Sequence, residues 1–586
     1  MAGRDRQGCC GQRLPAAKRR RGAGPAGRGA PRGHAGRTTR PSGSGAPAHG
    51  LGRRGKMSVV GGLWKRSVLA LLLVPALVGA AKAFDREGIE TINRNYTAMM
   101  AALEADPADG VDAPLDAAYR LLNHGEDRPK ANESGPAGSD AAPTGSTRQG
   151  VVGKALVAPI LQQVALEVGS AGHRELMEAA APSGGEVLVV KAGSLTLSAL
   201  PDALENSGWQ DFLIGSDGNY SLNIPLVIME DGTLVIQPGD RLELSADRGA
   251  FILNLGALTV TDATVSGSDA QPRVPDFHPF ILTARGGRAI ITGSRFSNLG
   301  FDTRPLMSGL AFGSSPFASL KSRGTVSDTV FDNVRSVEVT GIEDFVFSRN
   351  RIQKARGIGL RLENLQGGAI RDNVIVKSGM HGMLAIGSTG LELWGNISAE
   401  NAGRGFFARD GVGHLVVADN VFVANQDEGV AVAGGSCVDI RGNAVLRNRR
   451  DGIAVSQSLG VRLAGNLLVR NQGAGIAIND SISPADSVEI TQNRFIANNI
   501  GITAERFSAI RLSGNNLSDQ LPLLFGGALQ YDTPRYLGWA RAHEDDPDAV
   551  FEISSARGGS PLIFQGDSNG MFRLSDMTGC HFEELK

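Results

Sequence analysis

An asparagine recurs through the second half of the chain at an almost constant interval. Successive spacings are 23, 23, 24, 23, 23, 27 and 22 residues, between Asn350, Asn373, Asn396, Asn420, Asn443, Asn466, Asn493 and Asn515. A second asparagine follows five residues later in the middle repeats, at Asn401, Asn425, Asn448, Asn471 and Asn498. A glycine follows nine residues later and opens an apolar run, at Gly382, Gly405, Gly429, Gly452 and Gly475. A fixed period just above twenty residues indicates one repeat per turn of a solenoid.

The residues within each repeat indicate which type of solenoid the chain forms. Short β-branched runs such as "VRLAGN", "LLVRN" and "GIAIN" predict two or three strands per coil. Leucine-rich repeats share the period, but their Leu-x-x-Leu-x-Leu frame is absent. We therefore predict an all-β fold, a right-handed parallel β-helix with coils of 22–27 residues. Coils in such a stack lie ~4.8 Å apart, so each repeat position forms a line along the solenoid. Asparagine there can hydrogen-bond its own copies, and glycine relaxes the backbone at a bend.

The period divides the chain into segments. Residues 84–184 carry apolar residues at helical spacing, interrupted by a polar linker rich in Gly, Pro and Ser at 125–150. Residues 185–222 are expected to cap the solenoid, which occupies 223–520. Residues 521–586 break the period, and we expect them to cover the unpaired strand edges of the last coil.

The first 83 residues resemble targeting sequences rather than a part of the folded domain. Residues 1–56 contain 14 Lys or Arg and one Asp, a charge of +13, and predict a disordered leader. Residues 57–83 have a basic start, an apolar core and a small-residue end, as in a secretory signal peptide. We expect Met57 to be the true start and the protein to be periplasmic or secreted. The apolar core is shorter than the ~20 residues of a spanning helix, so no stable membrane insertion is expected after cleavage.

Charge and cysteine usage narrow the function. Subtracting +13 from the net charge of −1 leaves −14 for the remainder, which argues against nucleic-acid binding because phosphates need neutralising cations. The basic leader by itself is also compatible with a nucleic-acid arm. Cys437 and Cys580 show neither metal-ligand nor redox spacing. They can pair in an oxidising compartment, but we expect Cys437 to be a buried free thiol. No cofactor or metal is predicted.

Two segments carry a more specific signal. They are "PLVIMEDGTLVIQPGDRLELSADRGAFILNLGALTVTDATVSG" at 225–267 and "HPFILTARGGRAIITGSRFSNLGF" at 278–301. With the asparagine coils that follow, the stretch 185–520 resembles the periplasmic mannuronan C5-epimerases and their carbohydrate-binding β-helix relatives. The resemblance covers more than half of the chain. It implies an exported right-handed β-helix whose partner is an anionic polysaccharide, a uronate polymer.

The chain departs from this family at its functional residues. The family carries an Asp-Pro-His-Asp motif whose histidine is the catalytic base. The matching stretch, "GIGLRLENLQGGAIRDN" at 357–373, has neither the histidine nor the Asp-Pro pair. The family arginine one coil later, which neutralises the substrate carboxylate, falls on or near Gly387. The activity is therefore either lost or rebuilt from other groups.

One position in the coils offers a replacement. Removing the C5 proton of a uronate needs a base, a stabilising cation and an acid on the opposite face. The residue before each repeat glycine supplies such types, one per coil: His381, Arg404, Glu428 and Asp451. We call these four residues the column and predict that they are catalytic. An exposed turn with alternating charges is alternatively a salt-bridged surface without function.

Flanking residues complete the candidate site. We predict that the substrate is bound by Arg409, Arg449, Arg450 and Trp394, with Phe406 and Phe407 nearby. No tyrosine lies between residues 221 and 530, which argues against a tyrosine-dependent lyase on this face. Two functions remain open: a polyuronate C5-epimerase, and a non-catalytic β-helix that binds or guides a polysaccharide during export, in contact with a periplasmic export complex. A surface-structural or adhesin role is a weaker third.

Overall fold

The computed structural model describes residues 86–105, 110–123, 125–128, 149–168, 173–205, 208–301, 305–315, 318–481, 487–546, 549–555, 561–564 and 580. The predicted leader and signal peptide, and residues 129–148 of the predicted linker, lie outside these ranges. Within the described ranges, no helix combines the length and apolar character needed to cross a membrane.

The repeats coil into a parallel β-helix with three faces, which confirms the predicted fold class. In each coil, one strand precedes the ladder asparagine (face 1), a short strand follows it (face 2), and a third follows the repeat glycine (face 3). Strands of successive coils pair in parallel, as Ile397–Ala399 does with Val374–Val376 and Val421–Val423. Non-consecutive strands therefore pair, which is the topology of a solenoid. At the N-terminal end of face 2, Leu213–Ser216 pairs antiparallel with Asn219–Leu222.

The strand bounds follow the repeat closely. The strands of face 1 are Ala257–Thr261, Arg288–Thr292, Arg323–Ser327, Val346–Ser348, Gln366–Arg371, Thr389–Trp394, Gly413–Ala418, Ser436–Arg441, Leu459–Ala464, Val488–Thr491 and Ala509–Ser513. The strands of face 2 are Leu213–Ser216, Asn219–Leu222, Arg241–Leu244, Thr264–Gly267, Arg295–Ser297, Val330–Asp332, Arg351–Gln353, Val374–Val376, Ile397–Ala399, Val421–Val423, Ala444–Leu446, Leu467–Val469, Arg494–Ile496 and Asn516–Asp519. The strands of face 3 are Ile252–Asn254, Ile281–Thr283, Gly309–Gly313, Ser336–Thr340, Leu360–Glu363, Met383–Ile386, Phe406–Arg409, Val430–Ala433, Ile453–Ser456, Ala474–Asn479, Ile500–Ala504 and Leu523–Gly527.

The first rungs use longer strands. Glu186–Thr196 and Leu226–Ile236 pair in parallel, and the latter contacts both face 3 and face 1 strands of the next coil. Regular parallel pairing therefore begins inside the predicted 185–222 cap. Val151–Leu156 adds an antiparallel strand to Glu186–Thr196. The expectation of helix from residue 151 onward is wrong for this strand, whose Val-Val start favours extended backbone.

The ladder asparagines line the interior at the corner between faces 1 and 2. Asn443, fully buried, donates through Nδ2 to Asn466 Oδ1 at 3.0 Å, and its Oδ1 accepts from the Asn420 backbone N–H at 2.9 Å. The same contacts repeat from Asn350 to Asn515. The predicted ladder is confirmed. It satisfies backbone groups that the bend would otherwise leave unpaired inside the core.

The ladder extends further than the asparagine pattern. Thr329 Oγ1 accepts from the Ser294 backbone N–H at 3.4 Å, and Ser294 Oγ accepts from the Ala263 N–H at 3.2 Å. A second ladder at the corner between faces 2 and 3 runs from Ser378 through the second asparagines. It ends where Gln520 Oε1 accepts from Asn498 Nδ2 at 3.1 Å.

Two helices, α1 (Arg86–Glu104) and α2 (Asp112–Leu122), cover face 2. The strands beneath the helices include "VIV", "VFV" and "AVL", which are apolar at every position, the pattern of strands buried on both sides. Their middle residues point into the solenoid and their outer residues pack on the helices, where Met99 is fully buried. Arg349 donates to both carboxylate oxygens of Asp112, at 3.0 and 3.2 Å, which lowers the pKa of Asp112.

Two further helices, α3 (Val157–Val168) and α4 (His173–Ala179), pack on the outer side of face 3 at the N-terminal end. A short helix, α5 (Leu200–Leu204), and 3-10 turns at Ala181–Ser183, Leu197–Ala199 and Gln210–Phe212 complete this end. Leu161 and Leu176 contribute to the cluster that they share with face 3.

At the C-terminal end, Val550–Ser555 pairs antiparallel with the last face 1 strand, Ala509–Ser513, and Pro561–Phe564 pairs with it in turn. The last face 3 strand leads into a 3-10 turn, Ala528–Asp532, and helix α6 (Thr533–Ala542). Tyr536 of α6 packs against Phe525 and Phe551, and its burial raises the pKa of its hydroxyl to about 12.

A disulfide bond joins Cys437 and Cys580 across 143 residues. The expectation of a free thiol at Cys437 is therefore wrong. Cys437 lies in a face 1 strand, and the C-terminal strand Val550–Ser555 extends the same face. The C-terminal chain thus returns to the face that holds Cys437. That return path follows from tertiary pairing, which the spacing of the two cysteines does not reveal.

Candidate functional site

The column lies at the corner between faces 2 and 3, one residue per coil. Each member precedes the glycine that comes directly before a face 3 strand. Parallel pairing aligns the first residues of these strands, Met383, Phe406, Val430 and Ile453. The coils are in register, so the structure brings His381, Arg404, Glu428 and Asp451 into one line. Their contacts decide what this line can do.

His381 is tied to the backbone of the next coil. Its Nδ1 accepts a hydrogen bond from the Arg404 backbone N–H at 3.0 Å. Burial lowers the pKa of His381, and the positive charge of Arg404 lowers it further. The ring is therefore neutral near pH 7, and since a neutral imidazole has one donor and one acceptor nitrogen, Nε2 carries the proton. His381 therefore offers a hydrogen-bond donor at Nε2 rather than a free lone pair.

Arg404 and Arg450 share a carboxylate pair. Arg404 Nε donates to Glu428 Oε2 at 2.6 Å, and its Nη2 lies 3.7 Å from Asp427 Oδ2. Arg450 Nη1 donates to Asp427 Oδ1 at 3.1 Å and to Glu428 Oε1 at 3.2 Å. The Glu428 side chain is only 8% exposed. A buried carboxylate is tolerable here because two guanidiniums from adjacent coils compensate its desolvation.

Asp451 repeats the role of His381 with a different side chain. Its Oδ1 accepts from the Ala474 backbone N–H at 2.7 Å, and Ala474 holds the equivalent position one coil later. Burial raises the pKa of Asp451, and the Ala474 hydrogen bond opposes that shift. Two of the four column residues therefore link successive coils through backbone amides.

An aromatic ring borders the column. Parallel register places Phe407 on the outer side of face 3 and Phe406 in the core. The Arg404 guanidinium lies over the Phe407 ring at 4.3 Å, and the His381 ring meets it edge-on at 5.5 Å. The sequence did not distinguish the two phenylalanines. Alternation along the strand from the buried Phe406 was the signal that identifies Phe407 as the outward one.

The predicted substrate-binding residues separate into two groups. Arg409 is on the outer side of face 3, paired with Asp410 at 2.6 Å, and its charge acts on His381. Arg449 is exposed at the column corner and donates to Gln426 at 2.7 Å. Trp394 does not join them. It ends a face 1 strand, so face 2 separates it from the column, and the Arg441 guanidinium lies over its ring at 5.1 Å.

The stretch that matches the family motif is also internally paired. Arg361 Nη2 donates to Glu363 Oε2 at 2.6 Å, and Arg361 Nε lies 3.6 Å from the buried Glu338. Gly387, at the position of the family arginine, has a φ of +56°. A Cβ there would lie 2.6 Å from Asn364 Oδ1. An arginine therefore does not fit without displacing Asn364.

Downstream of Phe407 and Arg409, the outer side of face 3 is formed by small residues. Parallel register aligns Phe407 with Ala431 and Ala454, and Arg409 with Ala433 and Ser456. The column, the groups that flank it at its corner and this part of face 3 together form what we call the column surface. It combines an outward-facing aromatic ring, imidazole and guanidinium hydrogen-bond donors, carboxylate acceptors and a flat area of small side chains. Asp427, which bridges two arginines, is the member that the one-per-coil pattern missed. Among the described residues, no group of three His, Cys, Asp or Glu side chains is placed to hold a metal ion.

Comparison with known families supports the fold. The family model described as "Right handed beta helix region" matches residues 248–422 and 395–528. A solved double mutant of the periplasmic alginate epimerase AlgG superposes with a TM-score of 0.54 at 18% identity, covering 69% of this chain and 99% of that one. At this identity the likeness extends to the fold alone.

Curated relatives match over a shorter stretch. Mannuronan C5-epimerase of Pseudomonas aeruginosa is 26% identical over 160 residues, which cover 26% of this chain and 29% of the relative. Mannuronan C5-epimerase AlgG of Azotobacter vinelandii is 28% identical over 161 residues, covering 26% of this chain and 30% of the relative. The chain thus spans less than a third of the length of these relatives in the matched segments. With the coiled architecture, these matches identify the chain as a right-handed parallel β-helix protein that is similar, over part of its length, to the mannuronan C5-epimerases.

Proposed function

We propose that this protein is an exported polysaccharide-binding β-helix whose column surface holds a sugar chain without epimerising it. Sugar rings bind proteins through stacking on outward aromatic rings and through hydrogen bonds from their hydroxyl groups. Phe407 offers the ring, Asp427 offers an acceptor, and His381 Nε2–H offers a donor. The relatives are mannuronan C5-epimerases by name, which supports a polysaccharide as the ligand and a uronate polymer as the first one to test.

The hydrogen bond of His381 carries the argument against turnover. A general base needs a free lone pair within reach of the proton that it removes. The Nδ1 lone pair of His381 is held by the Arg404 amide, and Nε2 is protonated in the neutral ring. Protonation at Nδ1 would break a bond between coils. His381 is therefore better suited to donate to a ligand than to abstract a proton.

Arg404, the cation that epimerisation would require, is already paired with a carboxylate of the protein. A substrate carboxylate must be neutralised before the neighbouring proton becomes acidic enough to leave. Arg404 is paired with Glu428 at 2.6 Å and lies over Phe407. A substrate carboxylate would have to displace a buried carboxylate that a second arginine also holds, which costs more than binding to a free guanidinium.

The second candidate is a C5-epimerase rebuilt on the column. The names of the relatives favour it, as does the line of His381, Arg404, Glu428 and Asp451. In this reading, rotation of the imidazole away from Arg404 would free a lone pair for the base. Arg404 would neutralise the substrate carboxylate, Glu428 would hold Arg404 in place, and Asp451, whose raised pKa favours the protonated form, would supply the acid.

Export to the periplasm belongs to the same proposal. It rests on the signal-peptide pattern at 57–83 and on a solved relative described as periplasmic. A disulfide bond between Cys437 and Cys580 suits an oxidising compartment. In this setting the protein would bind or guide a polysaccharide during export, in contact with an export complex.

Incubation of the chain with polymannuronate in D₂O separates the two candidates. Proton NMR of the polymer would report loss of the C5 proton, and saturation-transfer NMR would report binding. We expect saturation transfer without C5 exchange. Exchange at C5 that the His381→Ala variant abolishes would establish the epimerase instead, and absence of both signals for every polysaccharide tried would refute binding.

A matched pair of variants locates the site. Phe407→Ala removes the outward ring at the column surface, and Trp394→Ala removes an aromatic ring at the other corner. We expect Phe407→Ala to weaken polysaccharide binding about tenfold, since stacking of a sugar on one aromatic ring contributes roughly 1–1.5 kcal/mol. Trp394→Ala should leave binding unchanged. The opposite ranking would move the site to face 1.

A further inference from the structure

The charges of the column surface cancel. From Leu360–Glu363 to Ile453–Ser456, the outer side of face 3 and the adjoining corner carry seven cations: Arg361, Lys377, Arg404, Arg409, Arg447, Arg449 and Arg450. The same surface carries six carboxylates: Glu363, Glu400, Asp410, Asp427, Glu428 and Asp451. Glu338 adds a seventh carboxylate, buried 3.6 Å from Arg361. His381 is neutral and adds no positive charge.

Most of these charges also cancel pair by pair. Arg449 is an exception, since it donates to the neutral Gln426 at 2.7 Å rather than to a carboxylate. Arg361 is paired with Glu363 at 2.6 Å and Arg409 with Asp410 at 2.6 Å. Arg404 and Arg450 hold Glu428 and Asp427 between them. Upstream at the same corner, Arg356 is held by backbone carbonyls of Leu299 and Gly300, at 3.3 and 2.6 Å.

A polyuronate places one carboxylate on every sugar unit. A surface that binds such a chain needs unpaired cations along its length, because desolvating carboxylates without counter-charges is unfavourable. The small residues downstream of Phe407 supply none: Ala431, Ala433, Ala454 and Ser456 are uncharged. The paired carboxylates instead provide acceptors for hydroxyl groups.

From this balance we propose that the column surface takes a neutral, hydroxyl-rich polysaccharide rather than a polyuronate. This inference rests on the proposed function, and it names the ligand class of the same surface. Sugar hydroxyls donate to Asp427 and Asp410, and the His381 Nε2–H donates to a ring or hydroxyl oxygen. A sugar ring stacks on the face of Phe407 opposite the Arg404 guanidinium. The solenoid thus has the fold of a mannuronan epimerase, while the charges at its column surface cancel.

The test compares two ligands that differ only at C6, where one has a carboxylate and the other a neutral hydroxymethyl group. Mannuronate oligosaccharides and the same oligosaccharides after reduction of their carboxyl groups are titrated against the full chain by calorimetry. We expect the reduced oligosaccharides to bind at least about tenfold more tightly. Their affinity should change by less than about twofold between roughly 50 and 500 mM NaCl, since no counter-ions are exchanged.

A second experiment tests whether a variant gains affinity for the charged ligand, and it discriminates more strongly than the first. Glu428→Gln keeps the shape and a hydrogen-bond acceptor but releases charge on Arg404 and Arg450. We expect the affinity for mannuronate oligosaccharides to rise about fivefold to tenfold, with a new dependence on salt. Asp427→Asn, at a more exposed position, should act in the same direction if Glu428→Gln folds poorly. Glu392→Gln, which releases Arg371 on face 1, makes the same net charge change and should have no effect.

The outcomes separate this inference from the proposed function. Tight, salt-sensitive binding of mannuronate by the unaltered chain, with weaker binding of the reduced form, would overturn the neutral ligand and leave polysaccharide binding intact. Equal gains from Glu428→Gln and Glu392→Gln would also overturn it, since net charge alone would then explain them. Failure of both ligands, and of other neutral polysaccharides, to bind would refute the proposed function itself.

Discussion

Replacement of one ladder asparagine in the middle of the solenoid should destabilise the protein strongly. Asn443→Ala removes five hydrogen bonds. Nδ2 loses its contacts with the carbonyls of Val417 and Arg441, at 2.8 and 2.9 Å, and with Asn466 Oδ1 at 3.0 Å. Oδ1 no longer accepts from the backbone N–H and Nδ2 of Asn420.

The cost follows from what remains buried and unpaired. The Asn420 backbone N–H loses its acceptor, and a buried orphan donor costs about 1–3 kcal/mol. The side-chain bonds add roughly 0.5–1 kcal/mol each in net stability. Since the carbonyls keep other partners, we expect a loss of about 4 kcal/mol in the free energy of unfolding. Asn443→Thr should cost about half as much, because Thr329 already accepts a backbone N–H at the equivalent position of the asparagine ladder.

Asn515→Ala is the matched control at the end of the ladder. Asn515 is half-buried and makes three of these bonds, so its loss should cost about 1–2 kcal/mol. Urea denaturation gives the ranking, and hydrogen exchange at the Asn420 amide reports the local opening. Equal losses for Asn443→Ala and Asn515→Ala, or unchanged protection of the Asn420 amide, would refute the role of the ladder.

Three further predictions follow from single contacts. Because burial lowers the pKa of His381 in the folded state, the unfolded chain binds the proton more tightly, so stability should fall as the pH drops below about 6.5; thermal melts should show a flatter pH dependence for His381→Gln. Reduction of the disulfide, or Cys437→Ser, should lower the unfolding free energy by about 2–4 kcal/mol, and non-reducing mass spectrometry of the intact chain should find Cys580 bonded to Cys437. Met99→Ala should cost about 2–4 kcal/mol at the fully buried Met99; hydrogen exchange should then rise in α1 and α2 but not in face 1 strands.

The repeat made the solenoid predictable from the sequence. A fixed period forces equivalent residues into line, so the Asn350–Asn515 series predicted both the coils and the ladder. Thr329 and Ser294 continue the ladder with other side chains, and the pattern of identical residues therefore ended too early. Their hydroxyls fill the same role because each needs only to accept one backbone N–H.

The site was predicted in part, for a related reason. One residue per coil placed His381, Arg404, Glu428 and Asp451 together, because register alone decides that line. Trp394 was assigned to the wrong corner, since nearness in sequence to the column does not give the face on which a side chain projects. The repeat pattern also did not predict that α1 and α2 cover face 2, because helix docking depends on contacts between segments far apart in the chain.

The tautomer of His381 tests the central claim most directly. Nitrogen NMR of the protein labelled with ¹⁵N-histidine, with His381→Gln to assign the signal, distinguishes a protonated Nε2 from a protonated Nδ1. We predict a neutral ring at pH 7 with the proton on Nε2 and with Nδ1 hydrogen-bonded to the Arg404 amide. A proton on Nδ1, or a charged ring at pH 7, would contradict this account and return His381 to the role of a catalytic base or acid.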